Sequence, residues 1–179
     1  MTYVLLGTGF EETEAVAPID LLRRAGETVY TVGVTGKVVY GGHGIGITAD
    51  ILPEEMDISA ADMIVVPGGL GGVASIRANG ATMAAIRSAW EAGKYVAAIC
   101  AGPTVLADLG ITDGKNAVCY PGCEDGMGNA NILTDATATD GKLITGTSAG
   151  CAIAFGLALV AALKGPEAAE AIRKQIVIR

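Results

Sequence analysis

The chain lacks several features that mark large classes of proteins. Its 179 residues include one histidine, one tryptophan and two phenylalanines, and its formal net charge is −7. No cluster of Lys and Arg occurs along it. Proteins that bind nucleic acid or anionic membrane surfaces through charge need such a cluster, so we expect neither partner.

Long apolar runs are also missing. The apolar stretch at residues 3–6 is short and has no basic flank, so it does not resemble a secretory signal. The longest later run, residues 151–163, is too short to span a bilayer and predicts a buried helix. Without an export signal, the four cysteines are expected to be free thiols. We therefore predict a cytoplasmic protein without a membrane segment.

About half of the chain is apolar, and its pattern alternates between strand and helix. This alternation predicts one α/β domain, residues 1–179, with a parallel sheet covered by helices on both faces. The predicted strands are residues 2–6, 29–34, 63–66, 95–99 and 143–145, with a hairpin or side ribbon at residues 38–40 and 45–48. The predicted helices are residues 11–25, 81–92, 151–163 and one that begins at Pro166.

Three glycine-containing turns follow strands of this sheet, at residues 7–9, 67–69 and 100–102. Ligand sites in parallel sheets lie beyond the carboxyl ends of the strands, where these turns stand. The first turn begins like a dinucleotide-binding fingerprint, but Glu12 occupies the place of its last glycine and would repel a pyrophosphate. We therefore exclude nucleotide binding.

One cysteine stands at a predicted strand-to-helix turn. The β-rich run ends at Cys100, and Pro103 opens an amphipathic helix. The unpaired N–H groups and positive dipole of a helix start favour thiolate over thiol, and the thiolate is the nucleophile. A sharp turn also exposes the side chain and is expected to strain the backbone. We predict that Cys100 is a reactive residue rather than a packed apolar thiol.

Three acids stand in the first turns of the helix at residues 11–25. The helix dipole accounts for Glu11 and Glu12 without any further role. Glu14 lies about one turn from Glu11 and beside Ala15, near the apolar face of the helix. Burial there would raise the pKa of Glu14 and allow it to move protons near neutral pH.

Four segments occur together at a specific spacing: Gly-Phe-Glu-Glu-Thr-Glu-Ala-Val at residues 9–16, Asp-Leu-Leu-Arg-Arg-Ala-Gly at 20–26, Val-Val-Pro-Gly-Gly at 65–69 and Ala-Ala-Ile-Cys-Ala-Gly-Pro at 97–103. In this order they resemble the ThiJ/PfpI superfamily, which is related in fold to class I glutamine amidotransferases. The resemblance is strongest to the branch of the parkinsonism-associated deglycase and redox-sensor protein and its bacterial relatives. It covers nearly the whole chain and implies a flavodoxin-like, doubly wound fold and a homodimer.

The resemblance also implies roles for individual residues. Cys100 would be the reactive thiol, Glu14 the carboxyl hydrogen-bonded to it, and the backbone N–H groups of Gly69 and Ala101 an oxyanion pocket facing the sulfur. Arg24 matches an arginine near the dimer-related site of the family, although a solvated cation at a helix end explains it equally well.

Two positions depart from the family pattern. Tyr120 stands where the family often has a histidine, and tyrosine cannot accept a proton near neutral pH as imidazole does. A Cys–His peptidase mechanism is therefore disfavoured. The single histidine, His43, lies in a glycine-rich loop where relatives tend to carry an arginine. We expect it to be solvated, or at most to line the entrance of the pocket.

The other three cysteines carry weaker hypotheses. Cys119 and Cys123 flank Tyr120, but two thiols without further ligands do not make a zinc site, so we predict no metal. Either thiol could form a disulfide with an oxidised Cys100, although inert thiols are the simpler expectation. Cys151 begins a helix, yet the apolar run after it favours a packed thiol.

Two functions remain open from the sequence. The first is a glyoxalase or deglycase that needs no cofactor and acts on small carbonyl compounds, 2-oxoaldehydes such as methylglyoxal, through Cys100 and Glu14. The second is a redox-sensing or protective protein that uses oxidation of Cys100. Tyr120 counts against a peptidase, and no residue supports a thiamine-pathway role.

Overall fold

The computed structural model describes residues 1–178 and contains ten strands and six α-helices within them. The strands are β1 (Thr2–Leu6), β2 (Val29–Gly33), β3 (Val38–Tyr40), β4 (Gly46–Thr48), β5 (Met63–Val66), β6 (Tyr95–Ile99), β7 (Asn116–Ala117), β8 (Asn131–Ile132), β9 (Thr137–Asp140) and β10 (Leu143–Gly146). The helices are α1 (Glu12–Arg24), α2 (Leu70–Ala78), α3 (Gly80–Glu91), α4 (Pro103–Asp108), α5 (Ala152–Lys164) and α6 (Pro166–Gln175).

Six of the strands form the central sheet, in the order β2-β1-β5-β6-β10-β9. The first five are parallel, and β9 pairs antiparallel with β10 at one edge. Taken in chain order, the five parallel strands are arranged 2-1-3-4-5, which is the flavodoxin-like order. The predicted α/β architecture, a mainly parallel sheet with helices on both faces, is confirmed.

The strands are apolar on both faces because helices cover both faces of the sheet. In β1, for example, Tyr3 and Leu5 pack into one buried cluster, and Val4 and Leu6 pack into another. The first cluster includes side chains from α2, α3 and α4, and the second includes side chains from α1, α5 and α6. This alternation follows from the two-residue period of a strand.

Four elements were not predicted from the sequence: the two-residue strands β7 and β8, strand β9 and helix α2. Helix α2 follows Gly69 directly and contains Gly71 and Gly72, which are poor helix formers. Gly72 is needed because a side chain there would collide with the backbone of Phe10. Three of the four residues of strand β9 are polar, so its sequence has no clear strand pattern, and β9 is defined by its pairing with β10. Among residues 1–178, no helix is long and apolar enough to cross a membrane.

The carboxyl ends of three adjacent strands, β1, β5 and β6, bring the three glycine-containing turns together. The Glu11 N–H donates to the Gly68 carbonyl over 3.0 Å, which ties the first turn to the second. A side chain at Gly102 would collide with the carbonyl oxygen of Val66, at the end of β5, and would lie 3.2 Å from that of Pro67, so the second and third turns also pack backbone to backbone. The predicted location of a site at this edge therefore follows from the strand order.

Candidate active site

Cys100 occupies a strained position directly after β6. Its φ is +65°, and only one other non-glycine residue among those described, Val177, has a positive φ. A side chain in this left-handed region costs about 1 kcal/mol. The Cys100 N–H donates to the Gly146 carbonyl over 2.9 Å, and its own carbonyl accepts from the Tyr120 N–H over 2.8 Å. These bonds hold the strained turn, and the strained elbow expected from the sequence is confirmed.

Glu14 lies fully buried in the first turn of α1, with its carboxyl group directed at the turn after β5. Its Oε2 accepts a hydrogen bond from the Gly68 N–H over 2.9 Å. Its Oε1 is buried with no oxygen or nitrogen partner among residues 1–178. Burial, with a smaller contribution from the charge of Glu11, raises the pKa of Glu14 to about 7, although the hydrogen bonds with Cys100 and Gly68 lower it.

The thiol of Cys100 is not activated in the way the sequence indicated. Burial, the charge of Glu14 and the hydrogen bond to Glu14 raise the pKa of Cys100 to about 12. The N–H groups of Ala101 and Gly69 act on the sulfur in the opposite direction, but they are outweighed. Burial and Glu14 thus oppose the stabilisation of the thiolate expected from the helix start, which stays a prediction. Helix α4 has only six residues, whereas a buried carboxylate lies directly beside the sulfur.

The two groups form one unit for binding protons. Burial raises the pKa of both groups, and the charge of Glu14 raises the pKa of Cys100 further. A neighbouring base that accepts the thiol proton during attack can replace a permanently ionised thiol. The arrangement therefore suits a nucleophile that becomes charged only as it reacts.

Gly68 is a site residue that sequence reasoning overlooked. A side chain at this position would collide with the carboxylate of Glu14 and would lie 2.7 Å from Cβ of Cys100. The absence of a side chain thus lets the acid and the thiol approach each other, and the Gly68 N–H orients the acid. The Pro-Gly-Gly sequence was the available signal. Its neighbour Gly69 has a φ of +84°, a conformation that favours glycine.

A cavity of about 440 Å³ opens above Cys100. Tyr120 is 48 % exposed on its wall, and Leu70 is 79 % exposed. The cavity contains no basic lining residue within the described part of the chain. Its lining residues are Glu11, Gly69, Leu70, Cys100, Ala101, Tyr120, Pro121, Gly122 and Cys123.

His43 and Arg24 are not among the lining residues of this cavity in the described chain. The ring of His43 is exposed, and its Nδ1 lies 2.8 Å from Oε2 of Glu12; the hydrogen bond and the charge of Glu12 raise the pKa of His43. The backbone N–H of His43 donates to Oε1 of the same carboxylate over 2.7 Å. Arg24 lies in the last turn of α1 and pairs with Asp20 over 2.7 Å. Neither residue contacts the thiol within one chain.

Glu12 holds a loop in place, a role beyond the interaction with the helix dipole that was expected from the sequence. It is buried, and its carboxylate anchors the loop around His43 between β3 and β4. Glu11 caps α1, since its Oε2 accepts the Glu14 N–H over 2.7 Å. Oxygens of Glu11 and Glu12 and a nitrogen of His43 lie within 4.8 Å of one another, but the contacts above already engage them. A metal ion would have to displace these hydrogen bonds.

The four cysteines are free in the structure. Cys123 lines the cavity above Cys100. Cys119 is buried in a small apolar cluster against which Cys123 also packs. Burial, together with the nearby Glu124 and Cys123, raises the pKa of Cys119 to about 11. Cys151 lies outside the cavity, with its sulfur 3.9 Å from the Ser148 hydroxyl. Among the three other cysteines, all within residues 1–178, Cys123 is the one that lines this cavity together with Cys100.

Comparison with known proteins gives consistent matches along the chain. A family model described as DJ-1/PfpI family matches residues 2–162. Protein dj-1beta of Drosophila melanogaster is 34% identical over 178 residues, which cover 98% of this chain and 95% of that protein. A deglycase of Pyrococcus horikoshii is 30% identical over 128 residues, 72% of this chain and 76% of that protein. The structure of oxidized Toxoplasma gondii DJ-1 has a TM-score of 0.94 at 32% identity and covers 98% of this chain and 97% of its own.

Proposed function

This chain belongs to the DJ-1/PfpI family, and we propose that it is a cysteine-dependent glyoxalase or deglycase that needs no cofactor and acts on small 2-oxoaldehydes. The observation that carries the proposal is the contact between buried Glu14, whose pKa is raised to about 7, and the half-buried, strained Cys100. The relative from P. horikoshii, which is named a deglycase, supports the same class of reaction.

The first step is addition of the thiol to the aldehyde carbon. Because the pKa of Cys100 is about 12, its proton leaves during the attack and goes to the Glu14 carboxylate. The S–C bond forms as the carbonyl π bond breaks, and the product is a hemithioacetal. The N–H groups of Gly69 and Ala101, which already face the sulfur, would stabilise the negative charge that develops on the oxygen.

The second step moves a proton between adjacent carbons. Glu14 would first pass the thiol proton to the alkoxide oxygen, which completes the hemithioacetal and restores the carboxylate. It would then remove the proton from the carbon bonded to sulfur, giving an enediolate, and return it to the neighbouring carbon while the hydroxyl proton moves to the former ketone oxygen. The result is a thioester of a 2-hydroxy acid, and its hydrolysis releases the acid and the thiol. An acid with a pKa of about 7 can accept and donate protons at neutral pH, so one residue serves both roles. No histidine is required at the position of Tyr120.

The test is conversion of methylglyoxal to lactate without glutathione, read by chiral lactate analysis. We expect lactate from the wild type and from Cys151→Ser, which removes a thiol outside the cavity. Cys100→Ser and Glu14→Gln should each lose at least a hundredfold in rate. Absence of lactate from the wild type would reject the proposal, even if the aldehyde disappears, because simple thiol addition also consumes aldehyde.

Redox sensing through Cys100 is the second candidate. The Toxoplasma gondii relative is described as oxidized, and protonated Glu14 could donate a hydrogen bond to an oxidised sulfur. The raised pKa of the thiol counts against it, because peroxide reacts with thiolate. Graded peroxide with mass spectrometry decides: sulfinate forming at Cys100 before any other cysteine supports sensing, and earlier oxidation elsewhere rejects it.

We also propose that the chain acts as a homodimer in the cytoplasm, without a nucleic acid partner. Exposed apolar side chains on α1 and the β3–β4 hairpin, Val16, Tyr40 and Ile45, support a protein interface on this side. Arg24, at the end of α1, would then lie near the partner's site. Light scattering coupled to size exclusion should give the mass of two chains, and a monomer at micromolar concentration would reject the dimer.

A further inference from the structure

We propose that the chain has a second site, at the edge of the sheet opposite Cys100, which binds a small organic phosphate through Lys94 and Lys142. The site is a cavity of about 370 Å³. None of its lining residues belongs to the cavity above Cys100, so the inference does not depend on the proposed function. The lining residues are Glu27, Asp62, Gly93, Lys94, Tyr95, Lys142, Ala162, Leu163 and Lys164.

The cavity lies at the amino ends of the parallel strands. Asp62, Lys94 and Lys142 directly precede β5, β6 and β10, which are neighbours in the sheet. The Val96 N–H donates to the Lys142 carbonyl over 2.9 Å, so Lys142 lies beside the start of β6. Lys164 is the last residue of α5. The fold thus brings three of the six lysines to one cavity in a chain whose net charge is −7.

The two acids of the cavity are already paired. Glu27 is buried, and its two oxygens lie 2.8 Å from Nζ of Lys164 and 2.8 Å from the Met1 amine. Asp62 also pairs with the Met1 amine. These two cations offset the charges of Glu27 and Asp62, so the acids do not balance the charges of the two remaining lysines.

Lys94 and Lys142 have no acidic partner in the part of the chain that the structure describes. Nζ of Lys94 donates to the Ser59 carbonyl over 3.3 Å, and Nζ of Lys142 lies 3.7 Å from the centre of the Tyr95 ring. Among residues 1–178, neither ammonium group has a carboxylate oxygen within 4.0 Å. An ammonium group carries three N–H donors, so both lysines keep donors for the oxygens of a ligand.

These features define the chemical class of the ligand. Two unbalanced ammonium groups match a phosphomonoester, which has a charge of about −2 near neutral pH and three acceptor oxygens. A carboxylate is matched best by the planar fork of arginine, and no arginine lines this cavity within the described residues. A free phosphate ion would fill only part of 370 Å³, and Tyr95, Ala162 and Leu163 offer apolar surface to an organic substituent.

The test is isothermal titration calorimetry with phenyl phosphate at low ionic strength and about pH 7.5, where the phosphate carries close to two charges. We expect one site per chain with a Kd below about 1 mM. Phenyl sulfate has a similar shape and one negative charge fewer, and it should bind at least tenfold more weakly. Phenylmalonate carries the ring and two carboxylates and should also bind at least tenfold more weakly. Inorganic phosphate, which lacks the ring, should bind several-fold more weakly.

Variants assign the binding to the two lysines. Lys94→Gln and Lys142→Gln should each weaken the binding of phenyl phosphate at least tenfold, because each removes one of the two unbalanced charges. Both should unfold at the urea midpoint of the wild type, since neither lysine has an acidic partner among residues 1–178. Lys37→Gln makes the same change in net charge, but Lys37 is exposed beyond the carboxyl end of β2, at the opposite edge of the sheet, and should keep the wild-type Kd.

Three results would overturn the inference. Phenyl phosphate that does not bind at millimolar concentration rejects the site. Equal Kd values for the wild type and both variants of Lys94 and Lys142 show that the phosphate binds elsewhere. Phenyl sulfate or phenylmalonate that binds as tightly as phenyl phosphate rejects the assignment to phosphomonoesters. Because binding is measured without a 2-oxoaldehyde, none of these results bears on the proposed reaction at Cys100.

Discussion

Replacing Glu14 by Gln should stabilise the protein, and the gain should depend on pH. In the folded state the pKa of Glu14 is about 7, while its ordinary value is 4.5. Folding therefore favours the protonated acid. The buried carboxylate lowers the free energy of unfolding of the wild type as the pH rises from 4.5 to 7. At about 1.36 kcal/mol per pH unit, this decrease reaches about 3 kcal/mol above pH 7.

The direction of the change in stability follows from the protonation state of Glu14 at each pH. Below pH 4.5 Glu14 is protonated in both the folded and the unfolded protein, and Gln resembles the protonated acid in shape. Between pH 4.5 and 7 the unfolded chain loses the proton but the folded protein keeps it, so wild-type stability falls relative to the variant. Above pH 7 both states are ionised and the difference is constant. The stability of Glu14→Gln relative to the wild type should thus increase from pH 4.5 to pH 7 and stay constant above pH 7.

Urea unfolding at fixed protein concentration, from pH 4 to pH 8.5, measures the difference. Glu54→Gln is the control, because Glu54 is exposed and the same chemical change there should shift the free energy of unfolding by less than about 0.5 kcal/mol at any pH. If Glu14→Gln changes that free energy equally at pH 4.5 and pH 8, the carboxyl group does not carry a raised pKa. The assignment of Glu14 as a proton carrier would then lose its physical basis.

Three further predictions concern the site. The kcat/KM for methylglyoxal should rise with pH through about 7 and then stay level, because the carboxylate form of Glu14 is the base; a profile flat from pH 5 to 9 would contradict this role. Gly68→Ala should lower activity at least a hundredfold by forcing the acid and the thiol apart, whereas Gly80→Ala, where a Cβ meets no atom within 4 Å, should leave it unchanged. If peroxide forms a disulfide from Cys100, peptide mapping should find it with Cys123, which lines the same cavity, and a bridge to a different cysteine would contradict the geometry.

Much of the fold, and the positions of Cys100 and Glu14 in the site, could be predicted from the sequence, because they depend on patterns among residues that are close in the chain. The apolar strands, the glycine stops and the turn at Cys100 are encoded by residues adjacent in the chain. The helical spacing that places Glu14 near the apolar face is equally local, and the structure buries this residue fully. These features depend on periodicity and backbone sterics, which need no tertiary partner.

Helix α2 and strand β9 could not be predicted in this way. The glycines of α2 weaken its local helix signal, yet they are required by contacts with the turn after β1. Strand β9 is defined by its pairing with β10, and polar residues occupy much of it. In both cases a neighbour in space outweighs the local preference.

The sequence by itself determined which residues carry the chemistry: a cysteine at a strand-to-helix turn and an acid on the apolar side of a helix. Tertiary structure alone decided their electrostatics. The thiol is half-buried beside a carboxylate that lies 86 positions earlier in the chain, and burial and this carboxylate raise its pKa, whereas the helix that follows it favours a lower one. Tertiary structure also decided that Gly68 lets Glu14 and Cys100 approach each other and that His43 contacts Glu12. The physical reason is that desolvation and charge pairing depend on distance in space, which sequence neighbours do not set.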